Sequence, residues 1–441
     1  MSSPPTDDLH SPIDEKNDIS SICKNDIEDS PTSPVDDVPS LVTDGGAQAW
    51  CTLVGAFLTT FCTFGYANAF GVFQDYYTRS HAASTTRISW VGSTQLYLLI
   101  AMGLPAGKLL DMGYFRQTVF AGSCIYVFSL FMASIAHPDK YYQIFLSQGV
   151  GMGIGAGLLY IPAMAVQAHH WRTKRALAMG VVISGSSLGG IVFPIMLNHL
   201  FSGTVGFAWG VRASAFLVLG SLVAANLLMT PRASITGSKA PKPNIKSLLL
   251  DLPYMLTILG GLTCFLGVYF PYFYLQLFSV INGVDTNVAF YTLAIMNAAS
   301  IPGRILPNLF ADRFGVYNMI IFVGIGCSVL ILSLFGVASI TSTMIFAILY
   351  GFFSGSFLSL LSPVLASLAR HDGEIGVRLG LAFFFASLGA LVGQPIDGAL
   401  LGNAFPWYKA IIFSAVTTFA GIFFTIISRL LLTRRKGTQL L

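Results

Sequence analysis

Gly107-Lys108-Leu109-Leu110-Asp111-Met112-Gly113-Tyr114-Phe115-Arg116 is the stretch on which the fold turns. It breaks a long apolar run with an acid at a helix end, a glycine suited to a tight turn, and a following base. Asn308-Leu309-Phe310-Ala311-Asp312-Arg313-Phe314-Gly315 has the same form and sits at the equivalent place in the second half of the chain. Such repetition is expected of a duplicated membrane bundle. Asp111, Arg116, Asp312 and Arg313 are therefore assigned to gating loops. They form a charge-relay latch that holds one conformation of an inner gate and breaks in the other.

On either side of these loops the chain is built of apolar runs. Of 441 residues, 54% are hydrophobic and only 10% charged, against roughly 25% charged in soluble proteins. Runs long enough to cross a bilayer, about 20 residues each, fall at 49–74, 88–110, 116–136, 141–168, 175–200 and 209–229. A second set falls at 252–281, 287–311, 317–338, 342–369, 376–401 and 408–430. The expected organisation is a disordered acidic cytoplasmic tail (1–46), a six-helix bundle (47–229), a cytoplasmic connection (230–250), a second six-helix bundle (251–430) and a basic cytoplasmic tail (431–441). Eleven of the 20 Asp and Glu lie in the first tail, so the net charge of +4 hides an acidic segment on a basic body. No nucleic-acid partner follows from it. Ser3, Ser11, Ser30 and Ser33 of that tail each precede Pro.

Orientation follows from the lysines and arginines. With the N-terminus inside, inward connections and the C-terminal tail hold sixteen, and outward connections five. Both termini are expected in the cytoplasm. The six cysteines contain no C-x-x-C pair and fit small buried hydrophobes better than a disulfide or metal framework. Neither metal nor cofactor is expected. Gly149, Gly151, Gly153, Gly155 and Gly157 give two small-x-x-x-small stripes on one helix, expected where bundles slide past one another. They do not meet the dinucleotide spacing, and Gly103 to Lys108 is one residue short of a P-loop.

At the loop carrying Asp111 the chain resembles the major facilitator superfamily. Asp44-Gly45-Gly46-Ala47-Gln48-Ala49-Trp50 before the first run, and His170-Trp171-Arg172-Thr173-Lys174-Arg175-Ala176-Leu177-Ala178-Met179-Gly180 before the fifth, are similar to the two signatures of the monocarboxylate transporter family. The likeness covers about 44–430, and the acidic tail with Asp-Gly-Gly looks like the fungal branch. It implies an all-α membrane protein of the major facilitator fold, with twelve transmembrane helices in two six-helix bundles. Proton-coupled animal members carry an acid one turn before an arginine of the eighth run, and a lysine in the first run. Here those positions are Ser300 and Asn68, and only Arg304 is retained. Neither replacement takes up a proton near neutral pH, so that coupling route does not carry over.

Arg304 is the one arginine deep inside a run, more than four residues from either end, behind Pro302 and Gly303. An intramembrane arginine costs roughly 2.5–3.5 kcal/mol on insertion scales, and its planar fork suits a carboxylate. Substrate-binding candidates are Arg304, Asn68, Ser300, Tyr66, Asn297 and Tyr274, the last from the aromatic Tyr269-Phe270-Pro271-Tyr272-Phe273-Tyr274. Asp397 is the coupling candidate. The expected function is secondary transport of a small organic anion, monocarboxylate-like or a larger carboxylated metabolite, by alternating access, at the plasma membrane or alternatively the vacuolar membrane, with lipid as the other partner. The alternative is an exporter of a fungal secondary metabolite or a riboflavin-type carrier without proton coupling. A membrane enzyme lacks a constellation, because the seven histidines lie in the tail, loops or run ends. A transporter-like receptor would need a folded extension larger than either tail.

Overall fold

The computed structural model describes residues 45–80, 85–137, 139–231, 248–370, 374–401 and 406–437. Nearly all of the acidic tail, its serines, and most of the 230–250 connection lie outside them. Eleven helices among the described residues are long and apolar enough to cross a membrane. Spans 1–6 are Ala47–Thr78, Arg87–Asp111, Phe115–Ile135, Tyr141–His169, Arg175–Ser202 and Gly206–Leu228. Span 7 is Leu252–Ile281, and spans 9–12 are Val316–Gly336, Ile340–Ser367, Ile375–Leu401 and Trp407–Arg435. Between them lies span 8, the 29-residue helix Thr286–Phe314. At 1.5 Å per residue it is about 43 Å long, enough to cross. It is less apolar because it carries Asn297, Ser300, Arg304 and Asn308. No strand occurs among the described residues.

Spans 1 and 7 hold corresponding places in the two halves, and both are broken. Span 1 is interrupted at Thr63 and again at Asn68 and Ala69; span 7 is interrupted at Val268 and Tyr269. In span 7 the cause is Pro271, which opens the second segment, Phe270–Ile281, from its first turn. The helix of span 12 runs on to Lys436, past residue 430 where the sequence suggested a tail. Its cationic end suits a helix C-terminus, and Arg435 Nη1 lies 2.7 Å from Asp251 Oδ1.

Spans 1–6 pack among themselves, as do spans 7–12. The two sets meet along two seams, span 5 against spans 8 and 10, and span 11 against spans 2 and 4. The glycine stripes of span 4 correct one expectation. Gly149, Gly153 and Gly157 face span 2 at Val91, Leu98 and Leu99, while Gly151 and Gly155 face span 3 at Ser129 and Tyr126. They hold the first half together and do not form the sliding surface. That surface has its own glycines. An added Cβ on Gly107 would collide with the Gly376 carbonyl, and one on Gly180 with the Arg304 carbonyl.

The two signature stretches meet at one end of the first half. Trp50 and Trp171 pack edge to face at 5.2 Å. Gln48 Nε2 donates to Thr230 Oγ1 at 2.9 Å, and His170 Nε2 lies 2.7 Å from the Thr230 carbonyl. The start of span 1, the approach to span 5 and the end of span 6 are thus tied together. Of the cysteines described, Cys62, Cys264 and Cys327 are buried, Cys51 and Cys124 exposed, and none is paired.

Candidate substrate site and gate

The repeated acidic loops close one end of both seams. Asp111, at the end of span 2, accepts from the backbone N–H of Gly376 (3.1 Å) and Val377 (2.7 Å) at the start of span 11. Asp312, at the end of span 8, accepts from Ala176 and Leu177 at the start of span 5, both at 2.9 Å. Each carboxylate thus caps the N-terminus of a helix in the opposite half, where orphan N–H groups and the positive end of the macrodipole favour an anion. Arg116 and Arg313 are exposed and take no part in these four bonds. Arg313 instead lies beside the Phe314 ring, 6.0 Å from its centroid. Gly113 and Gly315 follow the acids with φ of 89° and 95°, a conformation that side chains resist.

Beside the Asp111 cap lies an ion cluster that sequence reasoning did not find. Arg378 is in span 11 and 0% exposed. Its Nε is 3.1 Å from Glu374 Oε2, and its Nη1 is 3.5 Å from Asp251 Oδ2. The guanidinium also lies 5.0 Å from the Tyr254 ring centroid. The only signal was the i, i+4 spacing of Glu374 and Arg378. The cluster binds the starts of spans 7 and 11 to the end of span 12.

Midway along the seam between spans 5 and 8 sits Arg304, 5% exposed. Its Nη1 donates to the Ile183 carbonyl at 2.8 Å and to Ser186 Oγ, both in span 5. Its Nε is buried with no acceptor. No carboxylate among the described residues pairs with it. Its electrostatic neighbours are the phenols of Tyr272, Tyr269 and Tyr160. Tyr160 packs against Phe64 and Phe383, and Tyr269 against Phe265, so both halves contribute to the aromatic wall.

Ser300 and Asn297 lie on the same stripe of span 8. Ser300 Oγ is 2.6 Å from Ser187 Oγ across the seam. Asn297 Nδ2 donates to the Leu293 carbonyl at 3.1 Å, leaving Oδ1 buried and without a donor. Asn68, at the break in span 1, approaches the same spot: an added Cβ on Gly190 would lie 2.9 Å from Asn68 Nδ2 and 3.0 Å from Asn297 Oδ1. Arg304, Ser300, Asn297 and Asn68 are therefore brought together. Ser186 and Ser187 join them, within a small polar run that the sequence showed without saying which way it faced.

Tyr66 and Tyr274 lie elsewhere. Tyr66 is buried inside the first half, its hydroxyl 2.9 Å from Ser214 Oγ and its ring against Phe193 at 4.9 Å. Tyr274 belongs to a second polar spot around Asp397 in span 11. Its hydroxyl reaches the Gln394 carbonyl at 3.5 Å. Asp397 is 1% exposed; Oδ1 accepts from Ser414 Oγ at 3.2 Å, while Oδ2 has no donor.

The sequence pattern of the Major Facilitator Superfamily matches residues 55–349. The chain belongs to the major facilitator superfamily. Among its superfamily relatives, the aspyridones efflux protein apdF of Emericella nidulans is 38% identical over 388 residues, covering 86% of this chain and 77% of that protein. The MFS transporter asaE of Aspergillus flavus is 39% identical, covering 91% of each chain. The agnestins efflux protein AgnL12 of Paecilomyces divaricatus is 37% identical, covering 87% and 88%. In fold the chain is similar to the superfamily transporter FucP in its outward conformation, with a TM-score of 0.67, 14% identity, and coverage of 86% of this chain and 98% of that one. The fold and transport class expected from sequence are those of this superfamily. The monocarboxylate likeness is a narrower matter, and these relatives are not described as monocarboxylate carriers.

Proposed function

We propose that this transporter exports an organic acid with an aromatic or otherwise bulky apolar body, of the kind made as a secondary metabolite. Arg304 holds the acidic oxygen, and the two halves alternate access to it. The carrying observation is a buried arginine in the membrane seam with no carboxylate partner, one idle N–H and three phenols nearby. Intramembrane charges are retained mainly for function, and a desolvated guanidinium is suited to an anion. Two relatives described as efflux proteins for aspyridones and agnestins support export over import. A simple monocarboxylate–proton symporter is the less favoured reading, because Ser300 and Asn68 stand where that mechanism uses charged groups.

The excess of Lys and Arg at the Asp111 and Asp312 end supports a cytoplasmic location for it. The conformation described above is then sealed toward the cytoplasm. Opening it requires both carboxylate caps to let go. The membrane we assign is the plasma membrane. The test is efflux of a panel of labelled aromatic acids and their neutral esters from a transporter-deficient host expressing this chain. The acids should leave faster than in cells without the protein, and the esters should not. Equal acceleration of acids and esters would overturn the proposal.

A further inference from the structure

Gly190 leaves a notch in the seam where three spans meet. In this conformation two side-chain amides already fill it: Asn68 Nδ2 of span 1, a donor, and Asn297 Oδ1 of span 8, an acceptor, lie 2.9 and 3.0 Å from where a Gly190 side chain would begin. Asn297 is 0% exposed. Its amide nitrogen is fixed by the Leu293 carbonyl of its own helix, so its oxygen is held toward the notch with no donor. An unsatisfied buried acceptor is costly to keep and should be explained by what satisfies it. Arg304 Nε is an unsatisfied donor on the same face of span 8. Side chains on a helix lean toward its N-terminus, which brings the guanidinium to the level of Ser300. Asn297 leans the same way, its amide nitrogen reaching Leu293, so the idle donor and the idle acceptor lie between one and two turns, about 5–10 Å, apart along the helix.

A ligand complementary to this pair carries the reverse pattern, an anionic oxygen beside a neutral N–H or O–H. We propose that the Gly190 notch is a second subsite of the Arg304 cavity, taking an amide N–H or hydroxyl of the acid that Arg304 holds. This rests on the carboxylate-binding role given to Arg304 above and goes further by naming the second group the substrate needs. The notch is shut in this conformation, with Ser187 and Ser300 bonded across the seam at 2.6 Å. Gly190 and Asn68 come from one half and Asn297 and Arg304 from the other, so movement of the halves makes and unmakes the subsite.

The test uses two probes that differ in one group: hippurate, whose amide N–H lies beside its carboxylate, and 3-benzoylpropionate, which has a methylene in place of that N–H. Binding of each to the purified full chain is measured by titration calorimetry. Hippurate is expected to bind at least about tenfold more tightly, and the ratio should fall to about one in Asn297→Leu. Equal binding of both acids to the wild-type chain, with both lost in Arg304→Gln, would overturn the subsite while leaving Arg304 as the anion site. Binding of neither acid would overturn both. If Asn297→Leu fails to accumulate, the wild-type comparison of the two probes still decides.

Discussion

Gly380→Ala should open the end of the molecule that the two carboxylate caps close. Gly380 lies on span 11 against span 2. An added Cβ would sit 2.8 Å from Leu104 Cα, and closer still to the Gly103 carbonyl oxygen. Carbon atoms pack best at about 3.5–4.0 Å, so the two backbones must part by about 1 Å. Overpacking of this kind costs typically 1–3 kcal/mol. The contact crosses the seam, so the cost falls on the closed conformation alone. An equilibrium biased by that amount shifts about 5- to 150-fold toward the open one. Spin labels at Met112→Cys and Phe314→Cys, exposed sites in opposite halves beside the caps, report the separation by pulsed dipolar spectroscopy. Exposed Cys51 and Cys124 are first replaced. The longer-distance population should grow in Gly380→Ala. It should not grow in Gly220→Ala, whose Cβ would meet nothing within 4 Å. An unchanged distance distribution in Gly380→Ala would refute the claim that close glycine contact sets the closed state.

Asp111→Asn keeps the shape of its cap and removes the charge; the same label pair should show partial opening, and the double variant with Asp312→Asn more, since the two caps sit on different seams. Transport should depend weakly on an imposed proton gradient, and what dependence exists should vanish in Asp397→Asn. A strong dependence that survives that change would move the proton route elsewhere. A tag inserted within 236–244 should be reached by an impermeant reagent only from the cytoplasm, and one within 79–86 only from outside; reversed access would invert the assigned orientation.

Apolar runs and the repeated acidic loops were enough to read the fold from sequence, because spanning a bilayer and duplicating a half both leave marks at the level of residue type. Span 8 shows how such reading works even where hydropathy weakens: its polar residues recur on one face. Direction was harder. The sequence placed Asp111 and Asp312 in gating loops but gave no sign of the backbone N–H groups of the opposite half from which they accept. Backbone groups carry no sequence signal. Tyr66 and Tyr274 were grouped with Arg304 because a tyrosine within a span looks the same on either face. Only packing separates Tyr66, bonded to Ser214, from Tyr272, which is felt electrostatically by the arginine. Arg378 was hidden for a related reason: a charge near a helix end is ordinarily hydrated, and its burial depends on Asp251, distant in sequence.

The most direct test of the central claim compares Arg304→Lys and Arg304→Gln for surface abundance and for apparent affinity toward a transported acid. If Arg304 holds the acidic oxygen, both variants should reach the membrane. Lysine, which keeps the charge and loses the planar fork, should weaken affinity. Glutamine should weaken it further, by about 2–5 kcal/mol if the charge pair is buried. Normal abundance with unchanged affinity in Arg304→Gln would contradict the account and remove Arg304 from the binding site.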